Sequence, residues 1–221
     1  THCYDFKKPG KKLILERAKK ECNFKTLTNQ EISLKENDLV FTDGSEVINL
    51  AGVMGGNSTS CDTNSKKVLI ECAFFEPEAI IGKSVKYDLN SEAAYKFERG
   101  VDPLMIEIAL RRFIHIVEEH SKIKELSIFR NISSSCEAKS IEKDKSKIED
   151  ILGFKIENNK FEEILNNLGF DTTNDILIPS FRSDIDDHNH IAEEIARIVG
   201  YDNIPPEEIK IPFKPDNSVT K

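Results

Sequence analysis

One stretch, from Leu50 to Pro103, constrains this chain more than any other: L-A-G-V-M-G-G, then I-E-C-A-F-F, then S-E-A-A-Y-K-F-E-R-G-V-D-P. It sets Gly52, Gly55 and Gly56 in an apolar context, where backbone comes close to something. It also places one carboxylate, Glu71, inside the apolar run V-L-I-E-C-A-F-F. A carboxylate in such a run must find partners or stay exposed, because a bare buried charge is very costly. Accessible backbone beside a lone acid is the outline of a recognition pocket.

The pattern around this stretch predicts an α+β chain, a mixed-sheet domain followed by a small α+β domain. K-L-I-L-E, D-L-V-F, E-V-I-N-L and V-L-I-E-C are short runs rich in Leu, Ile and Val, which read as strands. Asp43-Gly44 marks a tight turn between two of them. The glycine cluster then reads as a loop. Asp102 and Pro103 predict a helix start, and Met105, Ile106, Ala109, Leu110, Phe113, Ile116 and Val117 recur at helical spacing, predicting one face buried against the strands. The polar segment Ser133 to Ser140 marks a boundary, so the domains are expected at 1–137 and 138–207, with a linker at 208–221. In the second domain two helical patterns end near Gly153 and Gly169, each a candidate left-handed cap. A strand D-I-L-I-P and a helix from His190 to Val199, with Ala192, Ile195, Ala196 and Val199 as its apolar stripe, complete it.

Composition removes several function classes. The net charge of -8 argues against a general nucleic-acid binder. Lys7, Lys8, Lys11 and Lys12 form a local basic cluster that reads as a solvated turn, or else as a place for an RNA to touch. Five scattered cysteines with no C-x-x-C pair argue against a zinc or disulfide framework and fit a reducing cytoplasm. No apolar run approaches the roughly 20 residues that span a bilayer, so no membrane partner is expected. The G-x-x-x-x-G-K-[ST] cradle is absent, which argues against ATP binding here, and no G-x-S-x-G elbow supplies a nucleophile. Hydrolysis on this chain would use a positioned water.

Read from the residues alone, Glu71 shares a strand face with Leu69 and so points inward or to a cavity rim. It is either a site residue or a structural acid paired with Arg99 or a backbone amide. Ser91 opens S-E-A-A, good helix-start sequence. Asp184, His190, Glu193 and Glu194 gather acids and an imidazole. They are either ligands for a cation or a helix N-terminus with acids placed against its dipole. Histidine in that set suits magnesium less well than a transition metal.

These motifs, with T-H-C-Y-D at Thr1–Asp5, P-S-F-R-S-D at Pro179–Asp184 and E-E-I-A-R-I-V-G-Y-D-N-I-P at Glu193–Pro205, closely resemble the bacterial phenylalanyl-tRNA synthetase beta subunit over nearly the whole chain. The resemblance covers its editing domain and the small domain that follows, and implies a piece of a longer polypeptide. It implies that Glu71 accepts the phenol of a mischarged tyrosine, that Gly52, Gly55 and Ala93 line the substrate pocket, and that His2 lines the site. Ser91 stands where the family usually has Thr, which keeps the hydroxyl. The resemblance implies metal ligands at Asp184, Glu193 and Glu194, with His190 in place of an aspartate. It further implies a cytoplasmic alpha-two beta-two enzyme whose partners are the alpha subunit and tRNA(Phe). ATP and Mg2+ would serve synthesis in the alpha subunit. The alternatives are a structural, tRNA-presenting module that has lost editing, and a free-standing deacylase.

Overall fold

The computed structural model describes residues 1–9, 12–131 and 138–206. Lys11, the expected 208–221 linker and most of the expected boundary at Ser133–Ser140 lie outside them. The chain divides into two compact units, Thr1–Cys136 and Glu137–Lys221.

The first unit opens with β1 (His2–Asp5), β2 (Ile14–Arg17), β3 (Cys22–Lys25), β4 (Glu31–Leu34), β5 (Leu39–Thr42), β6 (Val47–Leu50), β7 (Met54–Gly55) and β8 (Val68–Glu71). The four expected strands are all there, as β2, β5, β6 and β8. β4 alternates polar and apolar, and its Ile32 and Leu34 are buried while Glu31 is exposed. The order β2-β5-β6-β7 makes one sheet, β3-β4 a hairpin, and β1-β8 a two-stranded ribbon. All of these pairings are antiparallel. Between β5 and β6, Gly44 takes φ +98, the left-handed turn geometry that Asp43-Gly44 announces.

Four helices follow: α1 (Pro77–Ile80), α2 (Lys83–Tyr87), α3 (Glu92–Phe97) and α4 (Met105–His120). Tyr4, Phe24, Leu34, Val40, Leu50, Phe75, Ile80 and Ala94 belong to one core that joins the strands to α1 and α3. Asp38 ties α2 to the β4–β5 turn. Its carboxylate takes bonds from Lys83, Lys86 and Tyr87 and from the Lys35 amide at 2.9 Å. Burial alone would raise Asp38, but these donors together hold it below the usual carboxylate range.

α4 departs from expectation in two ways. It starts at Met105, because Asp102 turns its side chain back to accept the Leu104 amide at 2.9 Å, leaving Pro103 in the turn ahead of the helix. Its apolar stripe is not buried: Ile106, Leu110, Phe113, Ile114 and Val117 are only half-covered, and Met105, Ile108 and Ile116 are exposed. The core of the first unit is closed without it, and α4 meets the strand end through a hydrogen bond from Cys72 Sγ to the Ile106 carbonyl.

The second unit runs β9 (Ser140–Ile141), α5 (Lys145–Leu152), α6 (Asn158–Asn167), β10 (Ile176–Leu177) and α7 (His188–Val199). β9 and β10 pair antiparallel, completing the α+β character of both units. Gly153 and Gly169 take φ +75 and +90 just past α5 and α6, as the L-G-F pattern predicts. Ile148, Phe161, Leu165, Ile176, Ile191 and Ile195 form the core. α7 begins earlier than expected because Asp187 caps it, accepting from the Asn189 amide at 2.8 Å and the His190 amide at 3.2 Å.

Candidate functional site

The ribbon positions the candidate site. Its register pairs His2 with Glu71 and Tyr4 with Leu69, so these four side chains share one face. That face meets the β6–β7 hairpin, where Asn49 pairs with Gly55. Tyr4, fully buried, packs edge-on against the His2 ring at 4.5 Å between centroids.

Glu71 is held by neutral donors. The Tyr4 hydroxyl donates to its Oε2 at 3.2 Å, and Asn49 Nδ2 reaches the same oxygen at 3.5 Å. Asn49 Nδ2 also donates to the Tyr4 hydroxyl at 2.7 Å. Among the described residues no group hydrogen-bonds to Oε1. Arg99, the cation considered for Glu71, lies instead over the Tyr95 ring and donates to the Tyr95 carbonyl at 2.9 Å. Burial pushes the Glu71 carboxyl up, and the Tyr4 hydrogen bond offsets only part of that rise. Burial likewise lowers His2, which favours the neutral imidazole. The His2 Nε2 is buried and has no hydrogen-bond partner among the described residues.

The glycines divide by role. A Cβ at Gly55 would stand 2.1 Å from His2 Cε1, so only glycine admits the ring there. Gly52 sits at φ +71 in the turn closed by the Val53 amide on the Leu50 carbonyl at 3.0 Å. The space above it is filled by Ile80 and Phe75, 2.7 and 3.0 Å from where a Cβ would be. Gly52 therefore shapes the hairpin, and Gly55 shapes the site. Ser91 caps α3, accepting the Ala94 amide at 3.2 Å, and donates to the Val53 carbonyl at 2.5 Å. It ties α3 to the turn of the hairpin that carries Gly55. Ala93 is exposed, and the buried alanine of that helix is Ala94.

Sequence reasoning missed Tyr4 and Asn49. The signal for Asn49 was present: it is a lone polar residue inside V-I-N-L-A, the same anomaly that marks Glu71.

The expected acidic set in the second unit does not converge on a cation. Arg182 occupies the space between its members, donating to both Asp184 oxygens at 2.9 and 2.7 Å and to Glu194 Oε1 at 2.8 Å. Arg197 holds the other Glu194 oxygen. Glu193 is exposed, and His190 Nδ1 accepts the Asp186 amide at 3.2 Å. Arg182 keeps Asp184 and Glu194 below the usual carboxylate range. Among the described residues no group of three or more His, Cys, Asp or Glu is placed to hold a metal ion. These side chains fit a guanidinium, not magnesium. Nor do acids fill the first turn of α7, which is capped by Asp187.

Among the described residues no helix is long and apolar enough to cross a membrane. Residues 1–122 match the B3/4 domain and residues 141–201 the tRNA synthetase B5 domain, so this chain is a B3/4 domain followed by a B5 domain. A phenylalanine–tRNA ligase beta subunit from Staphylococcus saprophyticus is 35% identical over 212 residues, which cover 92% of this chain and 26% of that protein. One from Clostridium tetani is 34% identical over 214 residues, covering 92% and 27%. A solved N-terminal fragment of the phenylalanyl-tRNA synthetase beta subunit from Pyrococcus horikoshii aligns at TM-score 0.44 and 15% identity, covering 88% of this chain and 58% of that one. The chain belongs to the phenylalanine–tRNA ligase beta-subunit family. It spans about a quarter of the length of these curated relatives, 26% and 27%.

Proposed function

We propose that the His2–Glu71 ribbon and the Gly55 hairpin form a proofreading site that hydrolyses tyrosine wrongly esterified to tRNA(Phe). The observation that carries this reading is Glu71: an acid withdrawn from water, held through one oxygen by neutral donors, with no hydrogen bond to the other oxygen among the described residues. Tyrosine and phenylalanine differ only by a phenol. A pocket shaped for phenylalanine rejects the added hydroxyl weakly, so a second site must recognise the hydroxyl itself. Glu71 Oε1 would accept that proton. The buried, unpartnered His2 Nε2 would hold the water or the ester beside it. Water adds to the ester carbonyl, the bond to the ribose oxygen breaks, and the proton from water ends on that oxygen. The ester is already activated, so positioning and hydrogen-bond donors supply most of what is needed. No metal enters these steps. On this reading the alpha subunit and tRNA(Phe) are the partners, in the cytoplasm, and ATP and Mg2+ act outside this segment.

The test is clearance of tyrosyl-tRNA(Phe) by the assembled alpha–beta enzyme, wild type against Glu71→Ala. Losing one charge-assisted hydrogen bond in the transition state should slow clearance about 10- to 100-fold. Equal rates would make Glu71 a structural acid and the segment a scaffold that presents tRNA.

A further inference from the structure

Glu71 is not a bare carboxylate waiting for a phenol; one of its oxygens already has one. Tyr4 is fully buried and Asn49 nearly so, so neither polar group can exchange its bond for water. The chain of donors has one direction. Asn49 Nδ2 donates to the Tyr4 oxygen at 2.7 Å, and a phenol has a single hydrogen, which therefore goes to Glu71 Oε2 at 3.2 Å. Asn49 adds its own weaker approach to the same oxygen at 3.5 Å. Among the described residues both donors thus fall on Oε2 and none on Oε1. Both donors are fixed to the framework, Tyr4 within β1 and Asn49 within β6.

We infer that Asn49 and Tyr4 are positioning residues that set the hydroxyl specificity of this site: they pin Glu71 through Oε2 and reserve Oε1 for the phenol of the substrate. This rests on the proofreading reading above. The arrangement does two things for Glu71. It removes the rotation that would otherwise blur which oxygen meets the substrate, and orientation of this kind is worth rate only when it is fixed beforehand. It also supplies a hydrogen bond to the ionised form, which counters the burial that favours the protonated acid. A protonated Glu71 would be a poorer acceptor for a phenol. The Tyr4 phenol is the same chemical group that the pocket must detect, so its bond to Oε2 models the bond expected at Oε1.

The experiment uses the assembled alpha–beta enzyme with Tyr4→Phe, Asn49→Leu and Glu71→Ala. The readout is the ratio of kcat/KM for tyrosyl-tRNA(Phe) to that for phenylalanyl-tRNA(Phe), followed from acid to neutral pH. Tyr4→Phe keeps the ring and removes one bond to a charged acceptor, so the ratio should fall about tenfold. The acid limb of the tyrosyl profile should move to higher pH, because the hydrogen bond that lowers Glu71 is gone. Asn49→Leu should shift both in the same direction by less, and it tests the relay even if Tyr4→Phe fails to assemble. An unchanged ratio in both variants, whether rates hold or fall together, overturns the proposal. So does a raised ratio, which would mean that Tyr4 competes with substrate for Glu71. Glu71→Ala separates the two ideas. If it clears tyrosyl-tRNA like wild type, the proofreading reading fails; if it does not while Tyr4→Phe behaves as wild type, only the relay fails.

Discussion

The ribbon of the first unit and the Arg182 cluster of the second each withdraw a glutamate from water, and they treat it in opposite ways. Glu194 is closed off: Arg182 and Arg197 occupy both its oxygens and hold its carboxyl down. Glu149 in α5 is treated alike, with the Ile156 amide on Oε1 at 3.0 Å and Lys155 on Oε2 at 2.9 Å; the amide, Lys155 and Lys145 lower it to about 2. Glu71 makes no ion pair among the described residues. Two neutral groups share one oxygen, the other accepts no hydrogen bond from the described residues, and burial pushes its carboxyl up. A buried acid with every lone pair matched is a fastener. One left half-matched and short of counter-charge costs stability, and such a cost is characteristic of binding sites. All three are glutamates, Glu149 and Glu194 buried and Glu71 half-covered, and their partners set them apart.

The largest expected effect comes from making the second region resemble the first. Arg182→Met strips Glu194 and Asp184 of their shared cation and should cost about 3 kcal/mol near neutral pH, measured by urea unfolding. Both acids have lowered pKa values in the fold, so their stabilisation is present above the ordinary carboxylate range and lost as pH falls below it. The gap between variant and wild type should therefore close in acid; a gap that persists there would show that Arg182 acts through packing. Next, with opposite sign, comes Glu71→Gln. A raised carboxyl pKa carries a penalty that is absent below the unfolded value and grows as pH rises through the folded one. Thermal unfolding of Glu71→Gln should show a gain of up to about 1 kcal/mol at neutral pH and none near pH 4. A loss at neutral pH would put Glu71 among the fasteners. Smallest is Asp184→Asn, since that carboxylate is 61% exposed. Its loss should cost no more than about 0.5 kcal/mol.

Legibility followed the same divide. The strands rich in Leu, Ile and Val and the turn at Gly44 could be read because each is set by local pattern. The left-handed caps at Gly153 and Gly169 are equally local. β1 was harder: T-H-C-Y-D has no strand pattern of its own and becomes a strand by pairing with β8. The face of Glu71 followed from alternation alone, but its partners did not, since Tyr4 and Asn49 reach it from two other strands, β1 and β6. The resemblance implies that His2 and Gly55 line one site, and in the fold the His2 ring lies against Gly55. It could not foresee that Gly52 would be covered by Ile80 and Phe75, that Ser91 would be spent on capping α3, or that Arg182 would stand where a cation was expected. Each of these depends on packing between segments distant in sequence. α4 shows the same limit, since spacing located its apolar stripe and could not say how far it would be covered.

The pairing of β1 with β8 also bears on when the site can exist. Tyr4 and Glu71 are 67 positions apart, and the four-stranded sheet and the β3–β4 hairpin lie between them. Closing so long a loop is slow when the intervening chain is loose and far less costly once that chain has compacted. The hairpins can form from neighbours, whereas the ribbon has to wait for both of its ends to be delivered. A newly made chain would thus acquire this ribbon last, after the framework beneath it has been assembled.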